Sequence, residues 1–268
     1  MPDTYSLTVI NDSELPDPTF AVFATLPVSS DFASLSLAWL TQQINATNQY
    51  VFTWEITWGF AWSASGTTPG YQWAGSGTLA ADPNSTTESK AEFAYNGDFQ
   101  LTPATSTPTG DTLWITDSPT VPLPSKQPSS VGVTLGGSPA SVTNAGPNLY
   151  QTFTLHPTYY IDAGNYVKGQ MVDGDSVTQL QELTFAGGST ALTATLSADN
   201  TWTVGNSSDV NFADVLDERA ESDDDGPRYN CYSGRNCTGK ILNHKDRHNC
   251  KLSGGKSWQD KDGTCYPV

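Results

Sequence analysis

The stretch from residue 49 to residue 63 constrains the fold more than any other part of the chain. Its seven even-numbered positions all carry large apolar side chains, namely Tyr50, Phe52, Trp54, Ile56, Trp58, Phe60 and Trp62. Successive side chains of a β-strand point to opposite faces, so this two-residue repeat predicts one long strand with a single apolar face. At about 3.3 Å per residue the apolar positions would span roughly 40 Å, which is longer than a usual strand.

Two interpretations of this apolar face differ in what covers it. We favour the interpretation that this face forms one wall of a sandwich core, because aromatic side chains dominate buried cores. The alternative leaves the rings open to solvent as a platform that stacks on sugars or other flat ligands. The candidate platform consists of four tryptophans, Trp54, Trp58, Trp62 and Trp73.

The rest of the chain up to residue 215 also alternates and carries turn signals. Only 15% of the residues are charged, and the polarity comes from residue types that suit strands and turns. The runs at 5–10 and 20–26 predict a hairpin, as do Asn96-Gly97 and the turn at 197–200. We therefore expect an all-β fold, a large antiparallel β-sandwich, because so many strands must stack or close to cover their faces. A boundary between two smaller β domains in the proline-rich middle is the alternative.

Charge divides the chain into three blocks, which we interpret as its domain organisation. Residues 1–215 carry 3 basic and 19 acidic side chains, residues 216–229 carry 2 and 6, and residues 230–268 carry 7 and 3. We expect an acidic β-sandwich domain, a flexible acidic linker and a small basic module. An acidic domain repels phosphates, so nucleic acid is not an expected partner of it.

All four cysteines lie in the basic module, at Cys231, Cys237, Cys250 and Cys265. A segment this short cannot build a sufficient core, so an even number of cysteines predicts two disulfides, with the pairing left open. Reduced thiols, or zinc bound with the help of His244 and His248, are the alternatives. The intervals between these residues match no common zinc finger.

Disulfides predict an extracellular or cell-surface location, yet the N-terminus shows no recognisable signal peptide. Unconventional export, a leader outside this sequence and oxidation after release are three alternatives. No stretch of the sequence has the apolar length of a membrane span. Arg228 follows the acidic run in a segment that we expect to be flexible, and it is a candidate site for a trypsin-like protease that would release the basic module.

Aspartate-rich turns raise the question of calcium. Asp173 and Asp175 flank a glycine and supply the carboxylate oxygens that calcium prefers. Neither this run nor the one at 222–226 has the spacing of a twelve-residue calcium loop, and Asp-Gly is also an ordinary turn signal. Calcium at Asp173 and Asp175 is therefore an alternative to a simple turn, and no other cofactor is expected.

Catalytic machinery is sparse in the first 215 residues. They contain no cysteine and a single histidine, His156, which leaves one base for a nucleophilic triad. Glycosidases use two carboxylates at a fixed separation, and nothing in the sequence pairs the candidates Glu55 and Glu182. No glycine-rich loop combines with a lysine and a helix as a phosphate site requires. We therefore expect no enzymatic activity.

Four spaced elements resemble a known family. They are SLAW at 36–39, FTW at 52–54, FAWS at 60–63 and ADP at 81–83. With YSLTVIND near the N-terminus, they resemble the RhiA-like family of rhizosphere-expressed proteins over about residues 1–215. The resemblance implies a soluble protein linked to life among other organisms, and it supplies no catalytic residues.

The basic module resembles a different group. The run CYSGRNCTG at 231–239 is similar to small cysteine-rich secreted proteins of filamentous fungi. This resemblance implies a fungal source and an extracellular role.

These observations lead to three functional hypotheses. We expect a noncatalytic extracellular or surface-associated protein that binds a ligand or assembles, with an effector-like disulfide-bonded tail, in interaction with other organisms. A lectin-like carbohydrate-binding protein that uses exposed aromatic residues is the alternative, and a glycan-active enzyme ranks third. The expected partner is thus a carbohydrate, a protein surface or a further copy of the chain.

Overall fold

The computed structural model describes residues 4–177, 179–207, 230–243, 256–259 and 264–267, with the backbone alone at 241–243. By internal contacts the chain divides into residues 1–207, which we call the body, and residues 208–268, which we call the tail. The acidic linker at 216–229, Arg228, Cys250, His244 and His248 lie outside the described residues. The domain boundaries drawn from charge therefore stay predictions.

The described part of the body is almost entirely β-structure, as the alternating sequence predicts. Its strands in chain order are β1 (Thr4–Asn11), β2 (Thr19–Thr25), β3 (Val28–Ser29), β4 (Ser34–Leu37), β5 (Leu40–Gln43), β6 (Gln49–Glu55), β7 (Trp58–Ser63), β8 (Gly77–Ala81), β9 (Lys90–Tyr95), β10 (Phe99–Ala104), β11 (Thr112–Asp117), β12 (Ser130–Leu135), β13 (Ser138–Asn144), β14 (Tyr150–Thr154), β15 (Thr158–Gly164), β16 (Met171–Asp173), β17 (Gln181–Leu183), β18 (Ala191–Leu196) and β19 (Trp202–Asn206). A single helical turn, α1 (Gly174–Val177), follows β16. None of the described helical segments has the length and hydrophobicity to cross a membrane.

The described strands of the body form four sheets. Sheet 1 has the strand order β19-β18-β1-β6, sheet 2 has β17-β15-β2-β5, sheet 3 has β16-β4-β13-β12-β7-β8, and sheet 4 has β10-β9-β11-β14-β3. Neighbouring strands in the described body are antiparallel except for two parallel pairs, β1 with β18 and β9 with β11. The prediction of an all-β, mainly antiparallel sandwich is confirmed, with two pairs of sheets in place of one.

Each pair of sheets encloses its own core. Sheets 1 and 2 meet in a first core through side chains such as Leu7 of β1 and Phe20 of β2, both fully buried. Sheets 3 and 4 meet in a second core through Phe60 of β7, Phe93 of β9 and Phe153 of β14. The chain begins and ends its described body strands in the first sandwich and builds most of the second in between.

The predicted long strand at 49–63 is wrong, because the chain bends sharply in its middle. The backbone N–H of Thr57 donates to the carbonyl of Glu55 at 3.0 Å, and this turn separates β6 from β7. β6 lies in sheet 1 and β7 in sheet 3, so the aromatic residues serve two cores. Trp54 is buried in the first core and Phe60 in the second. A strand of roughly 40 Å exceeds what one twisted sheet usually accommodates.

The three predicted hairpins have different outcomes. Asn96-Gly97 connects β9 to β10, with Gly97 at a φ of 83° that favours glycine, and residues 197–200 connect β18 to β19. Both of these predictions are confirmed. The hairpin of 5–10 with 20–26 is wrong, because β1 pairs with β6 and β18 whereas β2 pairs with β5 and β15. The two strands face each other across the first core instead.

The described residues of the tail form four short strands, β20 (Asn230–Tyr232), β21 (Ile241–Asn243), β22 (Ser257–Gln259) and β23 (Cys265–Pro267), in the order β21-β20-β22-β23. A disulfide joins Cys237 to Cys265, with the two Cα atoms 5.8 Å apart. Cys231 is also disulfide-bonded, and it packs with Trp258 in a small buried cluster. The predicted disulfide character is thus confirmed for the described cysteines.

Candidate functional site

A cleft of about 550 Å³ opens at the edge of the first core. It lies where the start of β1, the β6–β7 turn, the start of β15 and the end of β17 meet. Its lining includes three aromatic residues, three aliphatic residues and two titratable rim residues. These are Tyr5, Tyr159 and Phe185, then Ile56, Leu155 and Leu183, and finally His156 and Glu182.

The rings of Tyr5, Tyr159 and Phe185 contact one another and form a continuous surface, which we call the aromatic wall. The centroid of Phe185 lies 5.1 Å from that of Tyr5 and 5.7 Å from that of Tyr159, both edge to face. Trp54 packs behind the wall, stacked on Tyr5 at 5.9 Å. Such distances are those of favourable aromatic pairs. Because the rings touch, a ligand would lie against the wall and not between its members.

Strand register brings the wall together. Tyr5 pairs with Trp54 across β1 and β6, and Tyr159 pairs with Leu183 across β15 and β17. Tyr5 lies two residues before Leu7 and therefore points to the same side of the sheet, at the strand end where the core opens. Sequence reasoning missed Tyr5, Tyr159 and Phe185, because each looks like an ordinary core aromatic until the sheets are assembled.

Two buried polar atoms lie close to each other behind the cleft. They are the hydroxyl of Tyr159 and Nε1 of Trp54, and both side chains are more than nine-tenths buried. The indole N–H of Trp54 is the hydrogen-bond neighbour of the hydroxyl, in a geometry short of an ideal hydrogen bond. Burial raises the pKa of Tyr159 to about 12, and the nearby indole only partly offsets this effect. The hydroxyl is therefore a neutral donor and acceptor.

The rim of the cleft carries polar side chains that solvent reaches. His156 precedes β15 and is exposed, as is Glu182 on β17. Oε1 of Glu182 accepts a hydrogen bond from the hydroxyl of Thr184 at 3.1 Å. Two of the residues that sequence reasoning considered for catalysis, His156 and Glu182, thus meet at this rim, whereas Glu55 is not among the described lining residues.

The alternative of an open platform of four tryptophans does not agree with the burial of these side chains, whereas the favoured interpretation of a core wall does. Trp54 and Trp73 are only 5% and 7% exposed, in different clusters. Nε1 of Trp73 donates to the hydroxyl of Ser130 at 2.9 Å, which satisfies it within the protein. Trp58 and Trp62 are half-buried, and Trp58 packs against both cores. The bend between β6 and β7 separates Trp54, in the first core, from Trp58 and Trp62, which both pack against the second core.

Asp173 and Asp175 belong to a capped turn. Oδ1 of Asp173 accepts a hydrogen bond from the backbone N–H of Asp175 at 3.0 Å, directly at the start of α1. Aspartate commonly caps a helical turn in this way. Within the described residues, no three His, Cys, Asp or Glu side chains are grouped so that they could hold a metal ion. The capped turn accounts for the carboxylate of Asp173.

Comparison with known proteins supplies a family context for the body. The family model of RhiA matches residues 2–207. The curated protein RhiA of Rhizobium leguminosarum bv. viciae is 36% identical to this chain over 209 residues, which covers 75% of this chain and 85% of that protein. No solved structure matches the chain.

Proposed function

The chain belongs to the RhiA family, and on this premise we propose that it is a noncatalytic binding protein whose ligand occupies the cleft at the edge of the first core. The observation that carries this proposal is the meeting, in one cleft of about 550 Å³, of the aromatic wall with the polar rim residues His156, Glu182 and Thr184. Ligand sites are typically concave, mostly apolar and equipped with a few polar groups that orient the ligand. The cleft has this composition.

The chemistry of the rim favours binding over turnover. Glycoside hydrolysis generally uses two carboxyl groups on opposite sides of the bond, whereas Glu182 is the one carboxylate among the described lining residues. His156 is exposed, and the carboxylate of Asp111 is close enough to interact with it electrostatically. Among the described residues, no hydrogen bond joins His156 to a carboxylate or a nucleophile. The preponderance of acidic side chains in the body disfavours a nucleic acid ligand. A carbohydrate or a group on a protein surface remains as the proposed partner.

The tail supports a proposal about location. Disulfides persist in oxidising environments, and the Cys237–Cys265 bond favours an extracellular or surface location. We propose that the tail is an effector-like module in contact with other organisms, and that cleavage after Arg228 releases it. Both statements concern the tail alone and are independent of the cleft.

A thermal-shift screen tests the binding function. A ligand that binds only the folded state raises the melting temperature by mass action. We expect neutral metabolites from a small-molecule library to stabilise the wild-type chain but not Tyr5→Ala, which removes one ring of the aromatic wall. Tyr71→Ala is the matched control, because Tyr71 is 69% exposed and lies outside the cleft.

The outcomes separate the possibilities. Stabilisation in the wild type and in Tyr71→Ala, with loss in Tyr5→Ala, supports the proposal. Equal stabilisation of all three proteins locates the ligand elsewhere and contradicts it. Chemical conversion of a stabilising ligand, followed by NMR over hours, would contradict the noncatalytic assignment.

A further inference from the structure

We infer that β6 is an interface through which two copies of this chain pair, with their β6 strands antiparallel across a two-fold axis. Sheet 1, in the order β19-β18-β1-β6, would then continue into the second copy as one sheet. This inference goes beyond the proposed function and does not depend on the cleft. It follows from the open backbone edge of β6, from the exposure of its side chains and from its charge pattern.

The backbone of β6 has a free hydrogen-bonding edge. β6 ends sheet 1 and pairs on one side only, with β1. In the continuation of this pairing, the N–H of Asn11 donates to the carbonyl of Asn48 at 3.0 Å. Backbone groups alternate in direction along a strand, so those of residues 50, 52 and 54 face β1 and those of residues 49, 51 and 53 face outward. Among the described residues, no hydrogen bond uses the outward groups.

β6 also lacks the usual protection of an edge strand. Native edges are often short or carry proline or lysine, which discourages pairing with another chain. Among the described edge strands of the body, β3, β5, β16 and β17 have two to four residues, β8 and β19 have five, and β10 contains Pro103. β6 has seven residues and contains neither proline nor lysine. It is therefore the edge of the described body that is best suited to receive a further strand.

The side chains of β6 leave this edge accessible. Residues 45–51 are all exposed, as are Thr53 and Glu55. Tyr50 is 41% and Val51 is 47% exposed, so two of the seven exposed large hydrophobic residues that the structure describes are neighbours on this strand. Burial of apolar surface between two copies favours association. The exposed side chains and the outward backbone groups thus point to the same contact.

The charge pattern of β6 favours a second copy as the partner. Residues 1–215 carry 19 acidic and 3 basic side chains, so copies of the chain repel each other over most of their surface. β6 has a single charge, Glu55. In antiparallel pairing centred on Phe52, Glu55 lies opposite Gln49 of the second copy, whose amide can donate to the carboxylate. Val51 lies opposite Thr53, a pair of β-branched residues that suits a sheet. No like charges lie directly opposite each other in this register.

Hydrogen exchange of the full chain, measured by NMR, tests the pairing itself. We expect the amides of Gln49, Val51 and Thr53 to exchange at least about 10-fold more slowly when the protein is concentrated from about 10 µM to about 1 mM. The amides of Phe52 and Trp54 should be protected at both concentrations, because they face β1. Light scattering over the same range should show the mass rising from that of one chain toward that of two.

Two substitutions of Val51 separate pairing from folding. Val51→Glu places a carboxylate diagonally across from Glu55 of the second copy, and Val51→Pro removes an outward N–H but no hydrogen bond to β1. Each should weaken association at least about 10-fold. Val51→Glu should leave the melting temperature of the monomer almost unchanged, because the position is exposed. Tyr71→Glu is the matched control for added charge, since Tyr71 is 69% exposed and lies outside β6, and it should not alter association.

Each outcome supports or overturns the pairing. Loss of both the protection and the mass increase in the two Val51 variants, but not in Tyr71→Glu, supports it. A chain that stays monomeric at about 1 mM overturns it and leaves the edge for a strand of another protein. Association that leaves the outward amides in fast exchange overturns it too, because another surface then forms the contact. Protection of these amides at every concentration would mean that a segment of the same chain covers β6, which also contradicts the inference.

Discussion

At the scale of single residues, unpartnered buried polar atoms identify two unusual places in the body. Among the described residues these atoms are Trp54 Nε1, Tyr159 OH, Asp117 Oδ1, Gln151 Oε1 and Ser129 Oγ. Burying such atoms costs free energy unless a partner is supplied. The first two atoms lie close to each other, and a weak hydrogen bond between the indole N–H of Trp54 and the hydroxyl of Tyr159 offsets part of this cost. For Asp117 and Gln151, a proton on the carboxyl group of Asp117 can supply the missing hydrogen bond.

Asp117 and Gln151 share one hydrogen bond, while one further oxygen of each side chain, Oδ1 of Asp117 and Oε1 of Gln151, has no partner. Oδ2 of Asp117 accepts hydrogen bonds from Nε2 of Gln151 at 2.8 Å and from the backbone N–H of Gly146 at 2.9 Å. Asp117 is 4% exposed, and burial raises the pKa of its carboxyl group to about 6 against these two hydrogen bonds. A proton on Oδ1 would let that atom donate to the amide oxygen of Gln151 and satisfy both orphaned acceptors.

No charge on the neighbouring strands faces this pair. Glu92 on β9 and Tyr150 on β14 both pair with Thr116. Side chains alternate along a strand, so they share the face of Thr116 and lie on the side of sheet 4 opposite Asp117. Desolvation is accordingly the main cause of the raised pKa.

This geometry predicts a pH dependence of stability with a definite sign. Because the folded pKa is raised, the folded state binds more protons than the unfolded state between pH 3.8, the ordinary value, and about 6. The contribution of Asp117 to the free energy of unfolding should fall across this window by about 3 kcal/mol as the pH rises. Asp117→Asn keeps a donor toward Gln151 at every pH, so it should be more stable than the wild type at pH 7.

Urea denaturation of both proteins from pH 4 to pH 7 measures the difference. The gap between them should widen from about pH 4 to about pH 6 and level off above that value. Glu92→Gln serves as the control, because Glu92 is an exposed carboxylate on a neighbouring strand, and it should not reproduce this gap. A gap of constant size at all pH values would show that Asp117 is ionised in the folded protein.

At the scale of elements, the bend between β6 and β7 links the two sandwiches. The backbone N–H of Gly136, in the turn between β12 and β13, donates to the carbonyl of Thr57 at 2.9 Å and holds the bend. Trp58 follows immediately and packs against both cores. The bend also brings Ile56 to the lining of the cleft, so the same element connects the cores and shapes the candidate site.

Truncation of Trp58 tests this structural role. We expect Trp58→Ala to lower the free energy of unfolding by about 3 kcal/mol, because it removes apolar contacts from both cores and leaves a cavity. Chemical denaturation measures the change, and Tyr71→Ala should cost less than about 0.5 kcal/mol because Tyr71 is a surface residue. A Trp58→Ala variant as stable as the wild type would mean that the ring contributes no buried contact.

Residues 49–63 show which features of this fold the sequence predicts and which it does not. Alternation at 49–63 correctly indicates β-structure and buried aromatic residues, because both follow from local periodicity. It carries no signal for the bend at 56–57, since the apolar pattern continues through it. The pairing of β1 with β18 joins residues 185 positions apart, such as Ser6 and Ala191, and no local signal encodes it. The cleft depends on such pairings, so the sequence does not indicate it. His156 and Glu182 stand out in the sequence only because their side chains could act in catalysis.

At the scale of the whole molecule, charge and cysteine content separate the body from the tail. Residues 1–215 hold no cysteine and only 3 basic side chains, whereas the tail holds all four cysteines. A body of this size buries enough apolar surface to fold without covalent links, but a short module does not. Disulfides should therefore stabilise the tail in particular.

The intact mass of the protein from its natural source tests the proposals about the tail. Full pairing of the four cysteines should lower the mass by four hydrogens relative to the reduced chain. Processing at the proposed site should add a fragment that ends at Arg228. Four free thiols would contradict the extracellular proposal, and an intact chain after exposure to native secretions would contradict release of the tail.

The most direct measurement of the central claim is an NMR map of the assigned chain during titration with a ligand that raises its melting temperature. If the cleft is the binding site, the largest shift changes should fall on Tyr5, Tyr159, Phe185 and the rim residues His156 and Glu182, and Tyr5→Ala should abolish them. Shift changes centred on any other surface, with the cleft residues unaffected, would contradict the assignment of the cleft as the functional site.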